Sequence, residues 1–198
     1  MLIAGAVLVA PARASEPPEP EPPRLVVSPV AGSWTLLVNL GPATDPTRLF
    51  QPLDAWVTSA FTFDPLAKRF RTFRRGLSAL SDLQVIGEGE AVWVFVPPER
   101  LEGDLTFWTQ DGIVVNQTQR LCPGFNLVPW TGQDGLAVSL ATIGLPVRRA
   151  LSWDPLRQEF DVWNPDLPAA LQVDFELEYG QGLWLHLGGS EVLDWEQP

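Results

Sequence analysis

Apolar runs along this chain are short and are interrupted by Gly, Pro and Asp at close spacing. Leu25–Val30 and Trp34–Leu40 are two apolar stretches broken by Ala31-Gly32-Ser33. Val57–Phe63 reads as a strand, Asp64-Pro65-Leu66-Ala67 has Asp at i and Pro at i+1 of a type I turn, and Phe70–Phe73 returns as the partner strand. Leu83–Ile86 and Ala91–Val96 (AVWVFV) are expected to supply two more strands around Gly87 and Gly89. Between the apolar runs, Asp45-Pro46-Thr47-Arg48-Leu49-Phe50 carries an N-cap Asp and a Pro at the first helical position, so it predicts a helix that Pro52 keeps short.

The same order recurs downstream. Val147–Trp163 (VRRALSWDPLRQEFDVW) aligns without a gap to Val57–Phe73 (VTSAFTFDPLAKRFRTF), ninety residues earlier, with identities at Val57/Val147, Ala60/Ala150, Asp64/Asp154, Pro65/Pro155, Leu66/Leu156 and Phe70/Phe160. Gly124–Val128 matches the Trp34–Leu37 region, Asp134–Ile143 is expected as a short amphipathic helix ended by Gly144 and Pro146, and Gly180–Leu187 answers Gly89–Val96 at an offset of 91. The expected fold class is mainly β (α+β), with two pseudo-equivalent units of antiparallel strands, each with one short helix. The units fall at residues 25–111 and 112–198. Two copies are too few for an open solenoid. They are expected either to share one core or to dock as two small domains.

Residues 1–14 precede these units and read as a secretory signal peptide. Residues 2–14 (LIAGAVLVAPARA) supply the apolar region and an A-x-A-type cleavage site, too short to span a bilayer. The usual basic segment is missing before it, so either the true start lies upstream or the signal is atypical; a buried N-terminal strand is the competing reading. Residues 15–24 form an acidic, proline-rich linker, expected to be extended and polyproline-like over Ser15–Pro23 (SEPPEPEPP). The chain is read as exported: periplasmic, at the cell surface or extracellular. No transmembrane span is expected in the mature chain.

Composition narrows the chemistry. A formal net charge of −11 opposes nucleic-acid binding, which needs a concentrated positive surface. A single cysteine, Cys122, allows no intrachain disulfide and reads as a small buried hydrophobe. With one histidine (His186) and one cysteine, the usual zinc and copper donor sets are missing, and no calcium loop of the D-x-D-x-D-G kind is present. No metal ligands and no cofactor are therefore assigned.

Catalytic constellations are equally sparse. His186 lies on the same strand face as Trp184, and Phe95 stands at its place in the first unit, which points to packing. Asp64 and Asp154 recur as a pair but each begins a proline turn, where Asp caps its own backbone. Gly180-Gln181-Gly182 precedes a strand rather than a helix, so it is no phosphate loop. No catalytic residue is assigned and no enzyme activity is expected; a glycoside-type hydrolase using paired carboxylates is the second alternative.

Nine tryptophans suggest a binding face. Trp34, Trp93, Trp153, Trp163 and Trp184 have aromatic counterparts in the other copy and are expected in the cores. Trp56, Trp108, Trp130 and Trp195 lack them and are the candidates for an exposed, carbohydrate-stacking face. The two hairpins also differ in charge. Lys68, Arg69, Arg71, Arg74 and Arg75 make the first basic, whereas Arg157, Glu159, Asp161 and Asp166 leave the second acidic. Such complementarity suits head-to-tail assembly between copies, and the basic hairpin suits an acidic cell-wall polymer.

The pattern of G-[aromatic]-N-L-V, then W-D with following aromatics, a proline loop and a closing G-x-G-[aromatic or Leu]-W strand resembles tandem tryptophan-rich modules of predicted bacterial and archaeal secreted or surface proteins. It is carried best by Gly124–Trp130, Trp153–Trp163 and Gly180–Leu187; the first unit departs from it at Thr35 and Ala91. The resemblance implies surface modules and transfers no catalytic residue. The expected function is a non-enzymatic exported module for protein–protein contact or assembly, including a homo-oligomer. The alternative is carbohydrate or cell-wall polymer binding through exposed tryptophans.

Overall fold

A computed structural model describes residues 24–27, 32–51, 57–98, 108–111 and 118–198. The first half contains β1 (Arg24–Val27), β2 (Ser33–Val38), helix α1 (Pro46–Leu49), β3 (Ser59–Asp64), β4 (Arg69–Arg74), β5 (Ala91–Val96) and β6 (Trp108–Asp111). The second contains β7 (Thr118–Leu121), β8 (Gly124–Pro129), β9 (Leu136–Ala137), helix α2 (Val138–Ala141), β10 (Val147–Asp154), β11 (Glu159–Trp163), β12 (Glu176–Leu177), β13 (Gly182–Leu187) and β14 (Leu193–Glu196). The protein is mainly β, and every ladder between these strands is antiparallel. Among the described residues no helix is long and apolar enough to cross a membrane.

Two four-stranded sheets carry the fold, in the orders β2-β5-β3-β4 and β8-β13-β10-β11. Register agrees between them as well as order. Ala60 faces Phe73 and Val94 in the first sheet, as Ala150 faces Trp163 and Leu185 in the second. Trp34 faces Phe95 as Phe125 faces His186. Short ladders join the ends of each half, β1 to β6 and β7 to β14.

The hairpin turns follow from their Asp-Pro sequence. Asp64 Oδ1 accepts the N–H groups of Leu66 and Ala67, each at 3.0 Å, and Asp154 Oδ1 accepts those of Leu156 and Arg157 at 2.8 and 2.9 Å. Each turn then closes on a left-handed residue, Lys68 (φ 52°) and Gln158 (φ 55°). Pro fixes the backbone at the second position, and the carboxylate replaces the water that the turn N–H groups would otherwise require.

Period-two alternation gives each sheet two apolar faces. In the first, Leu37, Ala60, Phe73, Val92 and Val94 pack with Leu49 and Phe50 at the end of α1. In the second, Val128, Ala150, Trp163, Leu183, Leu185 and Leu187 pack with Val138 and Ala141 of α2. The opposite faces meet each other: Val38, Leu40, Ala91, Trp93 and Leu127 form a third buried cluster, with Trp34, Leu36, Phe61, Phe63, Trp153, Tyr179 and Trp184 packed around it. The Leu36 side chain packs directly on Gly182, where an added Cβ would lie 2.3 Å from Leu36 Cδ2.

Two expected elements differ. Leu83–Ile86 is not a strand; Leu83 and Ile86 are buried anchors of an irregular segment, and Ile86 makes only an isolated bridge with Thr44. That segment is held to the edge of β4, because Thr72 O accepts Asp82 N–H and Leu83 N–H while Thr72 N–H donates to Asp82 Oδ1. The helix expected over Asp134–Ile143 is one turn. Leu136 and Ala137 pair with β12 instead, and Asp134 accepts from Tyr179 N–H rather than capping a helix. Asp174 serves the start of that turn, accepting both the N–H and the hydroxyl of Ser139.

Candidate functional site: an aromatic cleft between the sheets

Where the outward faces of the two sheets diverge, they leave a cleft of about 730 Å³. Its walls are Trp34, Phe61, Phe63, Phe70, Thr72 and Trp93 from the first sheet, and Phe125, Leu151, Trp153, Phe160 and Trp184 from the second. All eight strands of the two sheets contribute, and nine of the eleven side chains are aromatic.

The rings interlock reciprocally. Trp93 meets Trp153 and Phe160 of the other sheet, with centroids 5.2 and 5.9 Å apart, both edge-on. Trp184 meets Phe63 and Phe70 at 5.3 and 6.1 Å. Within each hairpin the pair is itself in edge contact, Phe63 with Phe70 at 5.3 Å and Trp153 with Phe160 at 4.9 Å. Such tilted and T-shaped pairs add about 0.5–1.5 kcal/mol each beyond the burial of their area. They hold the walls in place while Phe70, Phe125 and Phe160 stay 51%, 45% and 38% exposed along the rim.

A polar clasp fixes one end of the cleft. Trp153 Nε1–H donates to the backbone carbonyl of Trp34 at 2.8 Å, and Gln158 reaches the same residue, accepting Trp34 N–H on Oε1 at 3.1 Å. β2 is an edge strand, so these side chains satisfy backbone groups that would otherwise face solvent.

The structure redistributes the expected tryptophan roles. Trp93 and Trp163 are buried, as expected of core residues, but Trp34, Trp153 and Trp184 are half-buried walls of the cleft. Trp130 and Trp195, expected on an exposed face, are buried in the second core, stacked obliquely with centroids 5.9 Å apart. The place of Trp130 in the first sheet belongs to Asn39: Trp130 N–H donates to Gln181 O, and Asn39 N–H donates to Glu90 O. One half fills that buried position with an indole; the other fills it with an amide bonded to the carbonyls of Pro42, Ile86 and Gly87. A missing aromatic counterpart marked a different filling, not exposure. Trp56 lies outside the described residues. For Trp108 the structure describes only the backbone, which pairs with Val27.

The basic hairpin is mostly answered at home. Arg69 pairs with Asp82 at 3.2 Å, Arg71 with Glu90, and Arg75 Nε–H donates to Val57 O at 2.9 Å. Lys68 and Arg74 are exposed and make no ion pair with any described residue. By strand alternation Arg74 follows Phe70 and Thr72 on one row of β4, past the end of the cleft lining. In the second hairpin Arg157 gathers Asp154, Glu159 and Asp161 at 2.6, 2.6 and 2.7 Å. Those bonds, Asp161 first and Asp154 second, push the guanidinium pKa further up.

Asp64 and Asp154 are held below the usual carboxylate range. For Asp64 the Ala67 N–H contributes most, with Leu66 N–H and the nearby Arg71 and Arg69 charges adding to it against some desolvation. For Asp154 the Arg157 N–H and then its guanidinium dominate. Both carboxylates are committed to their turns, and neither lines the cleft. His186 stacks on Phe125 at 4.4 Å. Cys122 is buried, and its N–H donates to Asn126 Oδ1. Among the described residues no three His, Cys, Asp or Glu side chains converge as a metal site.

The chain matches no family model, no curated protein and no solved structure.

Proposed function

We propose that this chain is a non-enzymatic exported module, built from two copies of one β unit, that binds another polypeptide through the aromatic cleft. Duplication is supported by the shared strand order and register of the two sheets. Export rests on the apolar segment 2–14 with its small-residue cleavage pattern, and the likeness to tandem tryptophan-rich surface modules agrees with it.

The observation that carries the binding reading is the wall chemistry. Nine aromatic rings face one cleft, and the only hydroxyl among its lining side chains is that of Thr72. Sugar sites combine ring stacking with several convergent polar groups, and hydrolytic sites need an acid, base or nucleophile beside the substrate. This lining supports neither as well as it supports an apolar stretch of polypeptide, whose prolines and aliphatic side chains lie flat on aromatic rings.

The experiment is a paired titration. Tryptophan emission is followed while the protein meets a panel of apolar and proline-rich peptides, then a panel of glycans, with Phe160→Ala and Phe70→Ala as rim variants. Peptide-dependent shifts that weaken in both variants support the reading. Glycan-dependent shifts with no peptide response would replace it with the carbohydrate alternative.

A further inference from the structure

The occupant can be narrowed from the chain itself, on the reading that the cleft takes polypeptide. We propose that the cleft binds acidic, proline-rich sequence, and that its resident occupant is the chain's own Ser15–Pro23 segment, docked intramolecularly.

Chemistry and reach both favour this occupant. Ser15–Pro23 reads SEPPEPEPP, five prolines and three glutamates in nine residues. Proline rings stack on aromatic faces, and a polyproline helix enters such a groove already extended, with little conformational freedom to lose. The cleft offers rings from four successive strands of the first sheet: Trp34 on β2, Trp93 on β5, Phe61 and Phe63 on β3, and Phe70 on β4. Three strand spacings amount to about 14 Å. Nine residues as polyproline II span about 28 Å, enough to cross the sheet and reach past its edge.

Charge complements that direction. Beyond Phe70 and Thr72 on the same row of β4 stands Arg74, with Lys68 at the hairpin tip, and these two cations make no ion pair with described residues. Glu16, Glu19 and Glu21 are the matching anions. The acidic second hairpin offers no such match, because Arg157 is already shared among three carboxylates.

Covalent geometry makes the intramolecular form accessible. Pro23 is eleven residues from Trp34, a wall of the cleft, so the segment's end lies within about 40 Å of it. A short tether gives an effective concentration on the order of millimolar, so even a weak proline–aromatic contact would be well populated.

The test uses the full chain and a variant in which Pro17, Pro18, Pro20, Pro22 and Pro23 are all serine. Expected is a red shift of tryptophan emission and stronger acrylamide quenching in the variant, with unchanged far-UV circular dichroism. Millimolar SEPPEPEPP peptide restores the original spectrum, and the all-serine peptide does not. Lys68→Glu with Arg74→Glu shifts the emission in the same direction as the proline variant. Identical emission and quenching in the full chain and the proline variant, with no response to the peptide, overturns the proposal. Emission that red-shifts on dilution also overturns it, since it places the segment of a second copy in the cleft. The fluorescent probe 1-anilinonaphthalene-8-sulfonate separates the two levels. If it binds and Phe160→Ala weakens it, the cleft remains a binding face and only the occupant is wrong; if Phe160→Ala has no effect on either ligand, the binding function itself falls.

Discussion

The indole N–H of Trp153 donates to the backbone carbonyl of Trp34 at 2.8 Å, joining residues 119 positions apart in sequence. It is a side-chain bond that ties the hairpin of one sheet to the edge strand of the other, at the mouth of the aromatic cleft. Trp163, ten residues later, is a contrasting case: its indole nitrogen is buried with no hydrogen-bond partner among the described residues.

The contrast gives a paired prediction. Trp153→Phe and Trp163→Phe each install the residue type found at the corresponding place of the first sheet, Phe63 and Phe73. Trp153→Phe removes a formed bond and should lower stability by about 1–2 kcal/mol. Trp163→Phe removes an N–H that gains nothing in the folded state, which offsets part of the lost packing, so its cost should stay below about 1 kcal/mol. Urea unfolding of the two variants checks the order.

Gly182 packs against the side chain of Leu36 from the other sheet, with Leu36 Cδ2 and Cγ at 2.3 and 2.4 Å from where a Cβ would stand. Gly182→Ala should cost about 1–3 kcal/mol by overpacking. Leu36→Ala opens the same space, so the double variant should be more stable than the sum of the two single losses. A double-mutant cycle from denaturation midpoints reads the coupling, and strict additivity would show that the sheets do not meet there.

Acid sensitivity should come partly from the turns. Asp64 and Asp154 have folded pKa values below their unfolded ones, through the Ala67 N–H and the Arg157 N–H respectively. Their contribution is present above the unfolded carboxylate value of about 3.9 and is lost as pH falls through the lower folded values. Asp64→Asn and Asp154→Asn keep a turn-compatible side chain without the charge. Each should flatten the drop in urea midpoint below pH ~4 relative to the unaltered chain.

Reversal of Arg71 should act on stability rather than on association. Its guanidinium already pairs with Glu90, and both side chains are about three-quarters hidden from solvent. Arg71→Glu places two carboxylates together and should cost about 1 kcal/mol or more. The mass in solution should stay that of a monomer at low and high salt for both proteins. A salt-dependent change of mass, lost on reversal, would restore head-to-tail assembly through the hairpins.

The hairpins were legible because their information is local. Asp-Pro at the turn and the aromatics of both strands lie within one seventeen-residue stretch, and that stretch recurs ninety residues on. Asp45-Pro46 announced α1 for the same reason, and Asp45 Oδ1 does accept the Arg48 N–H at 3.0 Å. The second helix was overextended because Leu136 and Ala137 are claimed by Glu176 and Leu177, forty residues away, which local propensity cannot register. The cleft was the least legible feature. Trp34, Trp153 and Trp184 recur as aromatics because they face the other sheet, and recurrence alone does not separate a wall from a core. Trp130 and Trp195 misled in the opposite sense. For Trp130 the lack of an aromatic counterpart reflects Asn39 in the equivalent buried place, a polar solution to the same packing problem.

The reciprocal contact of Trp93 with one hairpin and Trp184 with the other has a historical consequence, on the reading that the sheets are copies. A unit that carries both the inserting indole and the receiving aromatic pair is complementary to itself, so a one-unit ancestor would have associated as a two-fold dimer. Joining two such units in one chain turns an association that depends on protein concentration into one that does not. It also frees the halves to diverge, which is how two hairpins that both place a phenylalanine at the groove, Phe70 and Phe160, can come to carry mostly arginines in one and mostly acids in the other.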